Sequence, residues 1–155
     1  MNRPHISALN LDEQLCFALY AASRRMTAAY RLLLDALGLT YPQYLVMLVL
    51  WEQDGLTVSE LGAQLQLDSG TLTPLLKRLE RAGLISRTRR VSDEREVEVG
   101  LTRSGRGLRA NAESIPQCMQ GRTGLSPAAL IRLRAGLKTL ATNLLSPIDS
   151  KGEPS

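Results

Sequence analysis

The chain has 155 residues, 44% of them hydrophobic and 22% charged, with a formal net charge of +4 and a pI near 9.4. Two cysteines and one histidine exclude a structural zinc cage, which takes about four clustered nitrogen or sulfur ligands. The opening "MNRPHISALN" lacks the apolar core of a signal peptide, and no apolar run approaches the roughly 18 residues of a membrane span, so the expectation is a cytoplasmic protein with no metal, no cofactor and no membrane partner.

Apolar residues recur at helical spacing from the start: Leu11, Leu15, Leu19, Ala22, Met26, Leu33 and Leu37 mark one face of a long first helix. Asn10 followed by Glu13 predicts a capping box, and Gly38 predicts the stop. Thr40 and Gln43 predict a second capped helix with Pro42 in its first turn, running through "YLVMLVLW" to about Gly55. "TVSE" opens a short third helix and "QLDSG" is a turn. "TLTPLLKRLERAG" is a fourth helix with Leu72, Leu75, Leu76 and Leu79 inward and Gly83 as its end. In "LISRTRRVSDEREVEVGLT", Val97, Glu98 and Val99 alternate and "SDE" separates two short runs, which predicts a hairpin. Thr102 caps a fifth helix from about Arg103 that fades near Pro116. Ser126 caps a sixth, with Pro127 first and Leu130, Leu133, Leu137, Leu140 and Leu144 as its stripe. Residues 147–155 read as a polar, disordered tail.

A short helix, a turn, a longer helix and a basic hairpin form a winged helix-turn-helix pattern. The expected fold is therefore mainly α, about six helices with a two-stranded wing. It is a single domain over 1–155, with a DNA-binding core at 40–102 between helical flanks at 10–38 and 103–146. Charge follows this layout. Residues 69–110 hold ten basic and five acidic side chains, a net +5, so the rest of the chain carries −1 of the overall +4. In the fourth helix Ser69, Thr71, Thr73, Pro74, Lys77, Arg78 and Arg81 face outward. Short hydroxyls near a helix start suit phosphates and base edges, and the N-terminus itself favours phosphate. Arg87, Arg89 and Arg90 lie along the hairpin. Arg95 at its tip is a minor-groove probe, and Asp93, two residues earlier, holds the tip by hydrogen bonding. The partner these residues suit is double-stranded DNA; the competing reading of any one arginine is a solvated charge.

The stretch "SELGAQLQLDSGTLTPLLKRLERAGLISRTRRVSDEREVEVGLT" resembles the MarR family of winged-helix regulators, with "DSGTLTPLLKRLE" and "DER…LT" as family-typical blocks. Helical flanks on both sides extend the resemblance over essentially the whole chain. It implies a homodimer in which the first, fifth and sixth helices interdigitate and two readers grip a pseudo-palindromic operator. The apolar stripes on both flanks, which one chain has no means to bury, agree with that.

Cys16 lies on the first helix with Tyr20 one turn along the same face. Tyr30 falls on roughly the same stripe but about 21 Å further along the axis, at 1.5 Å per residue. It is out of reach of Cys16 in its own chain, yet within reach of a partner's Cys16 if two first helices pack antiparallel. Tyr41, opening the second helix, can join it. Hydroxyls that donate to sulfur favour the thiolate, the form that attacks a peroxide. Leu15, Phe17 and Leu19 favour apolar hydroperoxides; Asp12 and Glu13 oppose the thiolate if they are close. The block "QLCFALY", Gln14 to Tyr20, together with this tyrosine spacing resembles the organic hydroperoxide resistance regulators within the MarR family. That resemblance implies that Cys16 is the peroxidatic thiol and that Tyr30 and Tyr41 are its donors, with Tyr20 beside it. It also implies, for two-cysteine sensors, that a second cysteine late in the chain captures the sulfenic acid across the dimer; Cys118 matches that position, in a stretch that reads as a helix end and loop. The expected function is a DNA-binding repressor, not an enzyme, that takes organic hydroperoxide as inducer and then releases its operator. The alternative is a repressor released by a small phenolic or lipophilic ligand without cysteine oxidation. A thiol peroxidase would need a βαβ layout absent here, and would leave the basic wing unexplained.

Overall fold

The first helix starts one turn later than its capping pattern predicts. A computed structural model of the chain describes residues 9–145; the tail expected over 147–155 lies outside the described residues. The Asn10 side chain accepts a hydrogen bond from the Asp12 backbone N–H at 3.2 Å, in place of the expected box with Glu13. That closes a single 3-10 turn, Leu11–Glu13, and α1 follows over Leu15–Leu34. A second 3-10 turn, Asp35–Leu37, then leads to Gly38 at φ 65°, which ends the helix as expected. Of α1 only Leu34 is buried, while Leu15, Phe17, Met26 and Leu32 stand exposed. The helix thus offers its own chain little of its apolar surface.

α2, Tyr41–Glu52, opens with the predicted capping box: Gln43 N–H donates to Thr40 Oγ1 at 3.4 Å and Thr40 N–H donates to Gln43 Oε1 at 2.9 Å. Being apolar almost all round, it is the centre of the core, where it buries Tyr44, Val46, Met47 and Leu50. Thr57 caps α3, Val58–Leu65, with a second box: its N–H donates to Glu60 Oε2 at 2.7 Å and its Oγ1 accepts from Glu60 N–H at 3.2 Å. Gln66, at φ 55°, turns the chain, and Asp68 caps α4, Ser69–Arg81. The turn leaves no room for a side chain at Gly62, whose Cβ would lie 2.7 Å from the Leu67 carbonyl oxygen. Leu72, Leu76 and Leu79 of α4 are buried and Leu75 half-buried. Pro74 is the sixth residue of α4, so the helix starts well ahead of it and the Gly70 carbonyl loses its helical donor; both residues are exposed, which leaves that oxygen to solvent.

The wing has one strand more than expected. β2, Ile85–Arg89, pairs antiparallel with β3, Val97–Leu101, and β1, Leu56–Thr57, pairs with the other edge of β3, giving the order β1-β3-β2. Two residues are too few to show a period of two, and Thr57 is at once strand and helix cap. The expected fifth helix is also two. α5, Arg103–Ala112, stops four residues before Pro116, whose ring would clash with the Ala112 carbonyl in a continuous helix. α6 then runs over Ile115–Thr123. Cys118 is therefore inside a helix rather than at the end of one.

The chain divides at Ile115/Pro116 into two compact units, the first holding α1 to α5 with the sheet. In the second, α7 covers Pro127–Leu145, and Ser126 Oγ accepts from the Ala129 N–H at 3.2 Å. α7 buries none of its residues, and Leu133, Leu137 and Leu144 of its stripe are exposed. Among the described residues no single helix is long and apolar enough to cross a membrane.

Gly105 fixes the approach of α5 to the sheet. A Cβ there would fall on the Leu84 carbonyl oxygen and 3.3 Å from Leu101 Cδ2, and a backbone oxygen cannot rotate away. Gly105→Ala should therefore destabilise the protein by about 1–3 kcal/mol, read as a lowered Tm in thermal unfolding; an unchanged Tm would show that α5 can slide off the sheet freely.

Candidate nucleic-acid interface and thiol site

The reading surface is built on α4 and the wing. Asp68 accepts from the Thr71 N–H at 2.8 Å and from its hydroxyl at 3.0 Å, so Thr71 fixes the helix start and offers a ligand only its acceptor lone pairs. These bonds to Thr71 hold the Asp68 carboxyl below its ordinary value. Ser69, Lys77, Arg78 and Arg81 are exposed. Thr73 is half-buried and lines, with Ser69, Arg87 and Arg95, a cleft of about 330 Å³ between the helix starts and the wing.

The structure sorts the wing cations into two kinds. Arg87 is committed: its Nε and Nη2 donate to Glu80 Oε2 at 3.0 and 2.7 Å, strapping β2 to α4. Arg90 is held by Glu98 at 3.0 Å and Glu96 at 3.2 Å, with its N–H donating to the Glu96 carbonyl at 2.9 Å. Arg89 and Arg95, like Lys77 and Arg78, make no ion pair among the described residues. At the tip, Asp93 Oδ1 accepts from the Arg95 N–H at 3.0 Å and the Asp93 carbonyl accepts from the Glu96 N–H at 3.0 Å. Asp93 thus sits where a clamp on the tip must sit.

An unpaired wing arginine is free to neutralise phosphate, and its removal has a measurable signature. Arg89→Ala should flatten the dependence of log K on log salt by about one for each phosphate the guanidinium neutralises per site. Arg95→Ala should weaken operator binding through the wing. Binding titrations over a salt series check both, and wild-type affinity for Arg95→Ala would remove the wing from the interface.

Residues that the sequence does not single out aim the wing. Asp54, after α2, accepts from the Leu101 N–H at 2.8 Å, the Gly55 N–H at 2.9 Å and Arg106 Nη2 at 2.8 Å. Burial alone would push its carboxyl up, but these three donors hold it below its ordinary value. Trp51 Nε1 donates to the Gly105 carbonyl at 2.9 Å, and Arg109 donates to the Trp51 carbonyl at 3.3 Å. Together they tie α2, β3 and α5 into one support. The only local signal is the Asp-Gly pair, which reads as a turn and says nothing of Leu101.

Cys16 is the second residue of α1, exposed and free, and Cys118 in α6 is likewise exposed and free. Tyr20, one turn after Cys16, is exposed, with the Arg24 guanidinium 5.4 Å from its ring centroid. Tyr30 and Tyr41 come together, ring centroids 4.8 Å apart. Tyr44, which the sequence leaves aside, completes the cluster at 5.8 Å from Tyr30 and 6.5 Å from Tyr41. Burial raises the pKa of all three, and in Tyr30 and Tyr44 the neighbouring hydroxyls raise it further. These hydroxyls therefore stay protonated, and able to donate, well above neutral pH. Among the described residues no group of three or more His, Cys, Asp or Glu side chains is placed to hold a metal.

Comparison with known proteins gives three bearings. Residues 39–97 match the model of the MarR family. The chain is 51% identical to the organic hydroperoxide resistance transcriptional regulator of Bacillus subtilis, over 88% of this chain and 92% of that one. Its fold is similar to that of AbfR of Staphylococcus epidermidis: reduced AbfR bound to DNA superposes with a TM-score of 0.74 at 38% identity, covering 87% of this chain and 94% of the other. Disulfide-formed AbfR gives 0.63 at 40% identity, covering 84% and 92%.

Proposed function

The chain belongs to the MarR family, and on that premise we propose that it is a transcriptional repressor, not an enzyme, that holds a pseudo-palindromic operator as a homodimer and releases it when organic hydroperoxide oxidises Cys16. The observation that carries this reading is the pairing of an exposed thiol at the start of α1 with a cluster of protonated tyrosines at its far end, in a chain half identical to a hydroperoxide resistance regulator. Exposed apolar stripes on α1 and α7 supply the surface for a second copy. Two antiparallel α1 helices would bring each Cys16 to the Tyr30 and Tyr41 of the partner subunit, with Tyr20 on the thiol's own side. The setting is the cytoplasm, where thiols rest reduced.

The chemistry balances without a cofactor. The Cys16 thiolate attacks the terminal peroxide oxygen; the O–O bond breaks, the alkoxide leaves and takes a proton from solvent to become the alcohol, and Cys16, now carrying the OH group, is a sulfenic acid. The Cys118 thiol of the partner subunit then attacks that sulfur, expelling water and leaving a disulfide.

A gel shift on promoter DNA tests the function: the reduced protein, then one equivalent of tert-butyl hydroperoxide, then added reductant. Binding, release and rebinding are expected in that order. Release by a non-oxidising phenolic ligand alone would overturn the redox reading and leave the DNA-binding one standing.

A further inference from the structure

The turn before Cys16 carries two exposed carboxylates, Asp12 and Glu13, with no ion-pair partner among the described residues. Both carry the sign of the thiolate that attacks peroxide, so a cation seated beside this turn favours that thiolate. Further along α1 lies a cleft of about 640 Å³ walled by Arg24, Arg31 and Asp35 and floored by Leu39, Thr40 and Tyr41. Neither arginine makes an ion pair among the described residues, not even Arg31 with Asp35 one turn on. Two guanidiniums against one carboxylate leave the cleft net positive. Arg24 leans back over Tyr20, and Arg31 lines the cleft together with Tyr41.

Tyr41 belongs to both the cleft and the tyrosine cluster. A segment seated in the cleft therefore ends beside the hydroxyls that would face the thiol. The spacing along the helix agrees. Helical side chains lean toward the N-terminus, so the Tyr30 hydroxyl lies over the preceding turn, level with about residue 27. If Cys16 meets that hydroxyl across an antiparallel pair, the turn that carries Asp12 and Glu13 lies on the side of the later turns of the partner's α1, which hold Arg31 of the partner subunit and Asp35 of the partner subunit.

We propose that the Arg24–Arg31 cleft of each subunit receives the acidic Asp12–Glu13 turn of the other, so that the partner's Arg31 compensates the carboxylates beside Cys16 and sets the register that carries the thiol to Tyr30 and Tyr41. This rests on the proposed thiol function. The occupant is a second copy of this chain, because the acidic turn and the basic cleft are complementary, the turn preceding α1 and the cleft lying along its later turns, on a helix whose apolar side chains are largely exposed. Asp35 works against the pairing, which gives the proposal a signature with a sign.

The test is subunit exchange between donor- and acceptor-labelled pools at low salt, alongside the rate of Cys16 loss to tert-butyl hydroperoxide. Arg31→Glu should speed exchange roughly ten- to a hundredfold, since the change acts at two symmetry-related sites, and should slow Cys16 oxidation. Asp35→Asn should shift both rates the other way. Adding Glu13→Arg to Arg31→Glu should restore both toward wild type, and high salt should flatten all these differences. All of the side chains are exposed, and circular dichroism of each variant checks that it folds. Wild-type exchange in Arg31→Glu, or no rescue by Glu13→Arg, overturns the proposal, as does normal exchange-coupled rescue with oxidation rates unmoved throughout. A wild type inert to hydroperoxide whose exchange still follows the charge swap would sink the redox function and keep the interface.

Discussion

Cys16→Ser should stay on operator DNA at hydroperoxide concentrations that strip the wild-type protein from it. The reduced-state affinity should change by no more than about twofold, because residue 16 is exposed and lies outside the reader. Serine has the size of the thiol but no sulfur to oxidise, so the first step cannot occur. The neighbouring tyrosines refine the test. A hydrogen bond to a charged group contributes about 1.5–3 kcal/mol, so losing one donor removes stabilisation from the attacking thiolate. A thiolate that shares its charge with fewer donors is also the better nucleophile, which returns part of the loss. Tyr30→Phe and Tyr41→Phe should therefore each slow Cys16 oxidation by roughly three- to tenfold rather than abolish it. Stopped-flow thiol titration against tert-butyl hydroperoxide reads these rates. Release of DNA by oxidised Cys16→Ser would move the sensor elsewhere, and unchanged rates in both tyrosine variants would rule out Tyr30 and Tyr41 as donors to the thiolate.

What could be read from the residues in advance follows the range of the interactions. Caps are local chemistry within four residues, and those at Thr40, Thr57, Thr102 and Ser126 stand where the sequence puts them. Asn10 shows the limit even there: the Asn-x-x-Glu pattern is present, but the side chain bonds Asp12 and makes a 3-10 turn instead. The α5 stop is legible as a fading near Pro116, yet the restart at Ile115 is not, because a helix resuming with proline in its first turn looks like a helix end. Long-range partners are beyond reach. Leu56–Thr57 becomes a strand only because β3 has a free edge. Asp54 matters because Leu101, Arg106 and Gly55 all arrive at one carboxylate from two distant segments and its own neighbour. Tyr44 looks like the odd tyrosine out because it lies three residues beyond Tyr41; its ring nonetheless turns back to Tyr30. The thiol site is a different case. Its elements are all present in one chain, but the reading that unites them needs two.

Peroxide treatment should convert the protein to a covalent dimer on non-reducing electrophoresis, and Cys118→Ser should fail to do so. Both cysteines are exposed and unpaired in the chain, so neither needs unfolding to react. Cys118 lies within α6, three residues after Ile115, not in a loose loop. A disulfide needs Cα atoms within roughly 7 Å, and helical residues cannot swing to meet that distance as loop residues can. If the two thiols of the reduced dimer start further apart than that, closing the bond must move or unwind a helix, at α6 or at the start of α1, where the 3-10 turn Leu11–Glu13 is the weaker element. A displaced α1 transmits to the reader through its own chain, because it runs by a 3-10 turn and Gly38 directly into α2. Two readers that must match major grooves about 34 Å apart lose their grip when that spacing changes. A penalty of about 3 kcal/mol on the bound state would lower affinity about a hundredfold. In Cys118→Ser the sulfenic acid forms but has no protein thiol to meet. Its release of DNA should be weaker and should regain strength when a small thiol such as glutathione is added. A wild-type band that stays monomeric while DNA is released would mean that the bond, if any, is not between subunits. A covalent dimer in Cys118→Ser would mean that two Cys16 thiols pair instead.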